Sequence, residues 1–344
     1  MSQYLLLLFY LSTIFGNVSS YPALDAPKQD YGNERIFYMS ELKEKEGIAS
    51  LKENADKIDI IAPQFYGVSA GLNLTGGLSK NLQKAIRENN LKVMPLVANY
   101  RFRQDIMHSL LTSPKAQERI INSLVREAKN EKYIGWQFDF ENISYKDKDL
   151  YSAFIEKTAE DFHNSGLILS VAVVSRTVDY EDTDMYKNWS GVFDYKRIAD
   201  AVDFISLMTY DDPRSIGPVA STPFVDQVLE YVKDKIPERK ISFGIPLYNW
   251  GWSTEPFEKI TASGTYDGLL YIKSKHDYKE GFDKNLGAAW LTYFWEDKEY
   301  QVWYQDKQTF QIKLDTIKEN NFRGFSAWVL GVEDPEIWDL LNKN

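Results

Sequence analysis

Short runs of apolar, β-branched and aromatic residues recur along the chain at positions 35–40, 58–66, 91–99, 133–141, 167–174, 203–210, 241–248 and 324–330. Between them lie stretches of amphipathic, helix-like periodicity, such as 113–130, 146–165, 222–236 and 306–320. Ser113-Pro114 is a good helix start, a capping residue followed by proline in the first turn. Buried strands alternating with helices predict a parallel sheet. Eight such units predict a closed (β/α)8 TIM barrel of the α/β class rather than an open doubly wound sheet. No glycine-rich phosphate fingerprint follows the first strand, which argues against dinucleotide binding.

One interval breaks the rhythm. Between the seventh run and the eighth, residues 249–305 form an insertion of about fifty residues, set between strand seven and its helix. It holds Trp250, Trp252, Trp290, Trp295 and Trp303 and is expected to be a small subdomain on the barrel's functional rim. The barrel is expected to occupy residues 35–344. Ahead of it, positions 5–15 are almost wholly apolar and too short to span a bilayer. Small residues follow at 16–20, so residues 1–20 are expected to be a secretory signal peptide and 21–34 a polar spacer. The mature chain would then be secreted or periplasmic, with no stable membrane insertion.

Composition narrows the chemistry. The 344 residues include 50 acidic and 40 basic side chains, a net charge of −10, which offers no electrostatic reason to bind nucleic acid. Cysteine is absent, so disulfides, thiolate zinc sites, iron–sulfur clusters and thiol catalysis are excluded. The three histidines (His108, His163, His276) are scattered, which argues against a histidine metal site. An exported protein without cysteine fits a bacterial source.

The informative run is 133–141. Alternation along a strand puts Trp136, Phe138 and Phe140 on one face and Gly135, Gln137, Asp139 and Glu141 on the other. The aromatic face suits the helix layer, so the polar face points into the barrel, where polar groups must be satisfied or used. Asp139 and Glu141 then lie ~6–7 Å apart at their backbones. Both stand at the C-terminal end of the strand, where barrel enzymes place their chemistry. Repulsion and burial separate such a pair into one protonated and one anionic group. Glu141, nearer the rim, is the expected proton donor, and Asp139 its modulator. A structural pair bonded to backbone or to an arginine is the alternative. At the sixth strand end, Tyr210 and Asp211 reach the rim, and a tyrosine hydroxyl there can donate to developing charge. At the eighth, Trp328 can form an apolar floor under a sugar ring.

In this order, Gln137-Phe138-Asp139-Phe140-Glu141, Met208-Thr209-Tyr210-Asp211 and Trp328 resemble glycoside hydrolase family 18, the chitinase-like barrels. Residues 244–252 look like the same family's seventh strand. The resemblance spans about residue 35 to the C-terminus and lies nearest the bacterial cell-wall and spore N-acetylglucosaminidase branch. It implies a secreted hydrolase of β-1,4-linked N-acetylglucosamine glycans, chitooligosaccharide or peptidoglycan, acting with retention through the substrate's own acetamide. In that scheme Glu141 is the acid and base, Asp139 orients the acetamide, and Tyr210 holds the acetamide oxygen. Gln137, Asp211, Trp328, Tyr248, Asn99, Tyr66 and Met208 complete the expected glycan-contacting set. Neither cofactor nor metal is required, the partner is the glycan, and the chain is expected to be a monomer. Two departures stand out. Gln137 replaces the family's first aspartate and is expected to hydrogen-bond Asp139. The third-strand Ser-x-Gly-Gly is replaced by Leu96-Val97-Ala98-Asn99-Tyr100. The rival reading is a chitinase-like lectin that kept the barrel and lost turnover; inactive members commonly replace the catalytic glutamate, which is present here.

Overall fold

The computed structural model describes residues 34–212, 216–254, 258–260 and 264–342. The apolar leader at 1–20 and residues 21–33 of the spacer lie outside the described residues. Glu34, counted with the spacer, is the first residue of the first strand.

All eight apolar runs form strands of one barrel. They are β1 (Glu34–Ser40), β2 (Ile60–Gln64, continued as Tyr66–Val68), β3 (Lys92–Val93 and Leu96–Asn99) and β4 (Gly135–Asp139). They continue with β5 (Ile168–Val174), β6 (Phe204–Met208), β7 (Ile241–Pro246) and β8 (Gly324–Trp328). Each pairs in parallel with the next, and β8 returns to β1 through Glu34↔Gly324 to Phe37↔Ala327. β2 and β3 are each broken once. Their first halves pair through Ile60↔Lys92 and their second halves through Tyr66↔Val97, so the ring stays closed across both breaks. Closure leaves no exposed sheet edge in the ring.

The helix layer forms where the periodicity predicts it. Ser113 accepts from the Ala116 amide ahead of the helix Pro114–Glu131, and the next helices are Lys148–Asn164, Thr222–Val232 and Lys307–Glu319. Against these helices the strands bury their aromatic face. Trp136, Phe138 and Phe140 are fully buried, with Phe138 stacked on Phe154 at 5.9 Å and Trp136 Nε1 donating to Leu124 O at 3.1 Å. Each such ring contributes about 1.5–3 kcal/mol of burial. The eighth unit ends in a short 3-10 helix, Pro335–Leu340, whose Trp338 stacks on Phe37 at 4.7 Å.

Between β7 and the helix Lys307–Glu319, the chain builds a second, antiparallel sheet. Its strands are Trp250–Ser253, Lys259–Ile260, Tyr278–Asp283, Ala288–Trp295 and Lys298–Tyr304, with the helix Tyr266–Lys275. The sheet has its own small core, in which Leu269 and Ile272 pack on Leu291, Tyr293 and Val302. Trp250 and Trp303 are buried, Trp290 covers Gly281, and Trp252 Nε1 reaches Gly217 O at 3.2 Å in the loop after β6. Most of the insertion's tryptophans therefore serve its packing. No helix among the described residues is long and apolar enough to cross a membrane.

Gly135 marks a tight point of the barrel. A Cβ there would lie 2.0 Å from Ile168 O on β5, closer than any real contact. Gly135→Ala must push β4 from β5 and should cost roughly 1–3 kcal/mol of stability. Thermal unfolding of the variant checks this; an unchanged Tm would contradict the close approach.

Candidate active site

β4 ends at the two carboxylates. Asp139 is buried, 4% exposed, and Glu141 is half-buried two residues on, nearer the rim. Their side chains hydrogen-bond each other. From β2, Gln64 Nε2 donates to Asp139 Oδ2 at 3.0 Å. Burial, the Asp139 charge and hydrogen bond, and the Asp211 charge push Glu141 up to about 9. Burial also raises Asp139, opposed by the hydrogen bonds from Gln64 and Glu141. At neutral pH the pair therefore retains a proton, and Glu141 has the character of an acid.

The backbone that carries Glu141 is clamped. Asn99, at the end of β3, donates through Nδ2 to Glu141 O at 2.9 Å, and its Oδ1 accepts from the Glu141 amide at 3.0 Å. The next residue, Asn142, turns the chain in the left-handed region at φ 50°, a conformation asparagine tolerates better than most residues. Its Nδ2 donates to Phe102 O at 2.7 Å.

Opposite stand the ends of β6, β7 and β8. Tyr210 fits over β7 because position 244 is glycine: a Cβ there would lie 2.9 Å from the Tyr210 ring and 2.5 Å from Leu207 O. Tyr248 meets Tyr210 edge to face at 6.3 Å and donates its hydroxyl to Asp211 Oδ1 at 2.5 Å. Burial is the leading cause that holds both phenols protonated well above their ordinary range. Trp328 is half-buried with its ring 5.3 Å from that of Tyr38. These groups line a cavity of about 340 Å³ that includes Gln64, Asp139, Glu141, Met208, Tyr210, Asp211, Tyr248 and Trp328.

The structure thus brings together seven of the ten residues singled out in the sequence: Asp139, Glu141, Met208, Tyr210, Asp211, Tyr248 and Trp328. Three stand elsewhere. Asn99 lies behind Glu141 and holds its backbone rather than lining the cavity. Gln137 is fully buried beneath it, so the expected bond to Asp139 is replaced. Its Oε1 accepts from Tyr38 Oη at 2.6 Å and its Nε2 donates to Ser170 Oγ at 2.9 Å. Tyr38 also bonds Ser206 at 2.6 Å, so the cavity's floor is a satisfied polar layer across four strands. Tyr66 faces the helix layer: its hydroxyl donates to Glu127 at 2.9 Å and its ring packs edge-on against Trp136 at 4.9 Å. The break in β2 at Phe65 explains this, because it puts Gln64 inward and Tyr66 outward instead of on one face. Gln64 and Tyr38 are the residues sequence reasoning missed. The available signal was a polar side chain at the buried, C-terminal end of each run. Among the described residues, no three histidine, aspartate or glutamate side chains are grouped to hold a metal ion.

The profile of glycosyl hydrolases family 18 matches residues 34–333. The chain belongs to this family. Among characterised relatives it is 28% identical over 278 residues to the cortical fragment-lytic enzyme of Bacillus subtilis (strain 168). That match covers 76% of this chain and 62% of the enzyme, so the chain spans less than two thirds of that relative's length. A further relative, the uncharacterized glycosylase YvbX of the same organism, is 27% identical over 303 residues, covering 86% of this chain and 87% of the relative. Among solved structures, the spore cortex-lytic enzyme SleL of Bacillus megaterium QM B1551 superposes with a TM-score of 0.78 at 26% identity. It covers 90% of this chain and 73% of that one. A chitinase from Chromobacterium violaceum ATCC 12472 shares the fold, with a TM-score of 0.79 at 22% identity over 89% of this chain and 97% of the chitinase.

Two predictions follow from the pair's proton. Between the ordinary carboxyl range and about pH 9, the folded family 18 barrel binds a proton at Glu141 that the unfolded chain lacks. Stability is therefore lost as pH rises through that window. Glu141→Gln removes the effect, so its Tm advantage over the wild type should grow from pH 5 to pH 9 in calorimetric scans. A constant difference would contradict the raised proton affinity. Gln64→Leu removes a charge-assisted bond worth ~1.5–3 kcal/mol to ionised Asp139. The proton should then shift toward Asp139, and kcat for glycan hydrolysis should fall on the order of 10-fold with little change in KM. An unaltered kcat would show that Gln64 does not position Asp139.

Proposed function

We propose that this chain is a retaining glycosidase that cleaves β-1,4-linked N-acetylglucosamine glycans with assistance from the substrate's acetamide. The observation that carries the reading is the Asp139–Glu141 pair, which retains a proton at neutral pH, within a cavity lined by Trp328 and Tyr210. Support also comes from the family and from relatives named as spore cortex-lytic enzymes and chitinases.

The steps assign one task to each group. Trp328 takes the apolar C–H face of the sugar whose bond breaks. Glu141 gives its proton to the bridging oxygen, and the bond from that oxygen to the anomeric carbon breaks. The acetamide carbonyl oxygen forms the new bond to that carbon, giving an oxazolinium. Asp139, ionised and held by Gln64, accepts the acetamide N–H and offsets the positive charge. Tyr210 donates to the acetamide oxygen, and Asp211, held by Tyr248, faces the same sugar. Water then attacks from the side the leaving group vacated, and Glu141 takes its proton, which restores the pair. Two inversions yield retention. The lectin alternative is disfavoured by the assembly of Asp139, Glu141 and Tyr210 around one cavity.

The test is digestion of chitooligosaccharides and of purified peptidoglycan, with products weighed by mass spectrometry and the first-formed anomer read by NMR. The expected result is β-anomer release from at least one substrate and a loss of roughly 10²–10⁴-fold in kcat for Glu141→Gln. Equal turnover by that variant, or α-anomer release, would overturn the mechanism.

A further inference from the structure

The proton donor stands outside the sheet. The ladder between β3 and β4 ends at Ala98↔Asp139 and that between β4 and β5 at Phe138↔Val171, so strand pairing stops short of Glu141. A sharp turn follows at once. Asn142 takes φ 50°, and on the segment after β3 that faces it, Arg101 and Phe102 take φ 49° and 51°. A hydrogen bond from Asn142 to Phe102 brings these three non-glycine residues together. Left-handed backbone at such residues persists only where the surroundings hold it.

The groups that hold it are amides. Beyond the two Asn99 bonds to the Glu141 backbone, both polar ends of the Asn142 side chain are taken by the segment after β3. Nδ2 donates to Phe102 O at 2.7 Å, and Oδ1 accepts from Gln104 Nε2 at 2.9 Å. Gln104 is the first residue of the helix Gln104–Leu111, so its own backbone is anchored. The same Nε2 donates to Asn188 Oδ1 at 2.9 Å, in the segment after β5. The turn after Glu141 is thereby fastened to two rim segments at once. The side-chain atoms in this network are uncharged, so it holds the carboxyl in place without a counter-charge that would favour ionisation. An aspartate at 142 would lose the donor to Phe102 O and add a negative charge beside Glu141.

We propose that Asn142 and Gln104 are positioning residues for the proton donor, locking the turn after Glu141 to the segment after β3 and so holding the Glu141 carboxyl against Asp139. The role of Glu141 as acid rests on the function proposed above. Among the described residues, the titratable groups that face Glu141 are Asp139 from β4, Tyr210 and Asp211 from the end of β6 and Tyr248 from the end of β7. On the segment after β3, Arg103 is paired with Asp105, its Nε 2.9 Å from Oδ1. Burial and the two aspartate charges raise the proton affinity of Glu141. A carboxyl freed to swing toward solvent escapes both, so it loses its proton at lower pH.

Two variants of the full chain test this. Asn142→Gly keeps a residue at ease with positive φ and removes both side-chain bonds; Gln104→Leu removes one of them at similar volume. The Glu141 side-chain carboxyl is followed by ¹³C NMR across pH in each. In both variants it should titrate lower than in the wild type, by roughly half a pH unit or more. In glycan digests, kcat should fall on the order of 10-fold with KM little changed, since the bonds act on the acid and not on the sugar. A role in folding alone would lower kcat and leave the Glu141 titration where it is, and that result would overturn the proposal. Wild-type kcat in both variants would overturn it too. The titration needs no turnover, so it also decides where the wild type cleaves no glycan: a downward shift supports the positioning role, and an unmoved one refutes it.

Discussion

Asp139 and Glu141 share one face of a strand inside a barrel, and two carboxyl groups buried this close cannot both ionise cheaply. Much of the surrounding structure answers that constraint. Gln64 supplies a neutral donor to Asp139, which favours the charge there without adding one. Asn99 clamps the Glu141 backbone through two neutral hydrogen bonds. Position 137, next in the inward row, is an amide whose hydrogen bonds run to Tyr38 and Ser170, away from the pair. A third carboxylate there would add another buried negative charge. With an amide in its place, the proton is shared by Asp139 and Glu141 alone. The Gln137 departure from the family pattern is thus part of the site's electrostatics, compensated by Gln64 from a different strand.

The barrel makes this arrangement stiff. Gly135 lets β4 approach β5 closely, Gly244 gives Tyr210 its place over β7, and the aromatic outer face of β4 is packed on the helix layer. The insertion between β7 and its helix holds itself together through its own core, and Trp252 ties it to the loop after Asp211. Beyond Glu141, Gln104 ties the Asn142 turn to the segment after β5 through Asn188. Rigid strands carry the reacting groups, and rim segments shape what reaches them.

The barrel was legible in the sequence because each strand is buried on both faces and reads as an apolar run, and because period-two alternation in 133–141 separates the aromatic face from the acidic one. The same alternation placed Asp139 and Glu141 together. It failed at Tyr66, since β2 breaks at Phe65 and the break reverses which side chain faces inward. Gln137 could not be partnered from its own strand: its acceptor bond comes from Tyr38, 99 residues away in the chain. Asn99 was expected to contact the glycan and holds the Glu141 backbone instead, because a side chain that bonds backbone looks, in sequence, like one that bonds ligand. The insertion's aromatics divided between packing and exposure only when the antiparallel register was known, with Trp250 paired to Trp303 and Trp295 left at a hairpin end.

The central claim is that the buried pair keeps a proton at neutral pH and that Glu141 holds it as the acid. The most direct measurement is a ¹³C NMR titration of the protein labelled at glutamate side-chain carboxyls, with Glu141→Gln assigning the missing signal. The account predicts that the Glu141 resonance stays protonated through neutrality and titrates in the alkaline range, near pH 9. A Glu141 resonance that titrates at the ordinary carboxyl range, near 4.5, would contradict it.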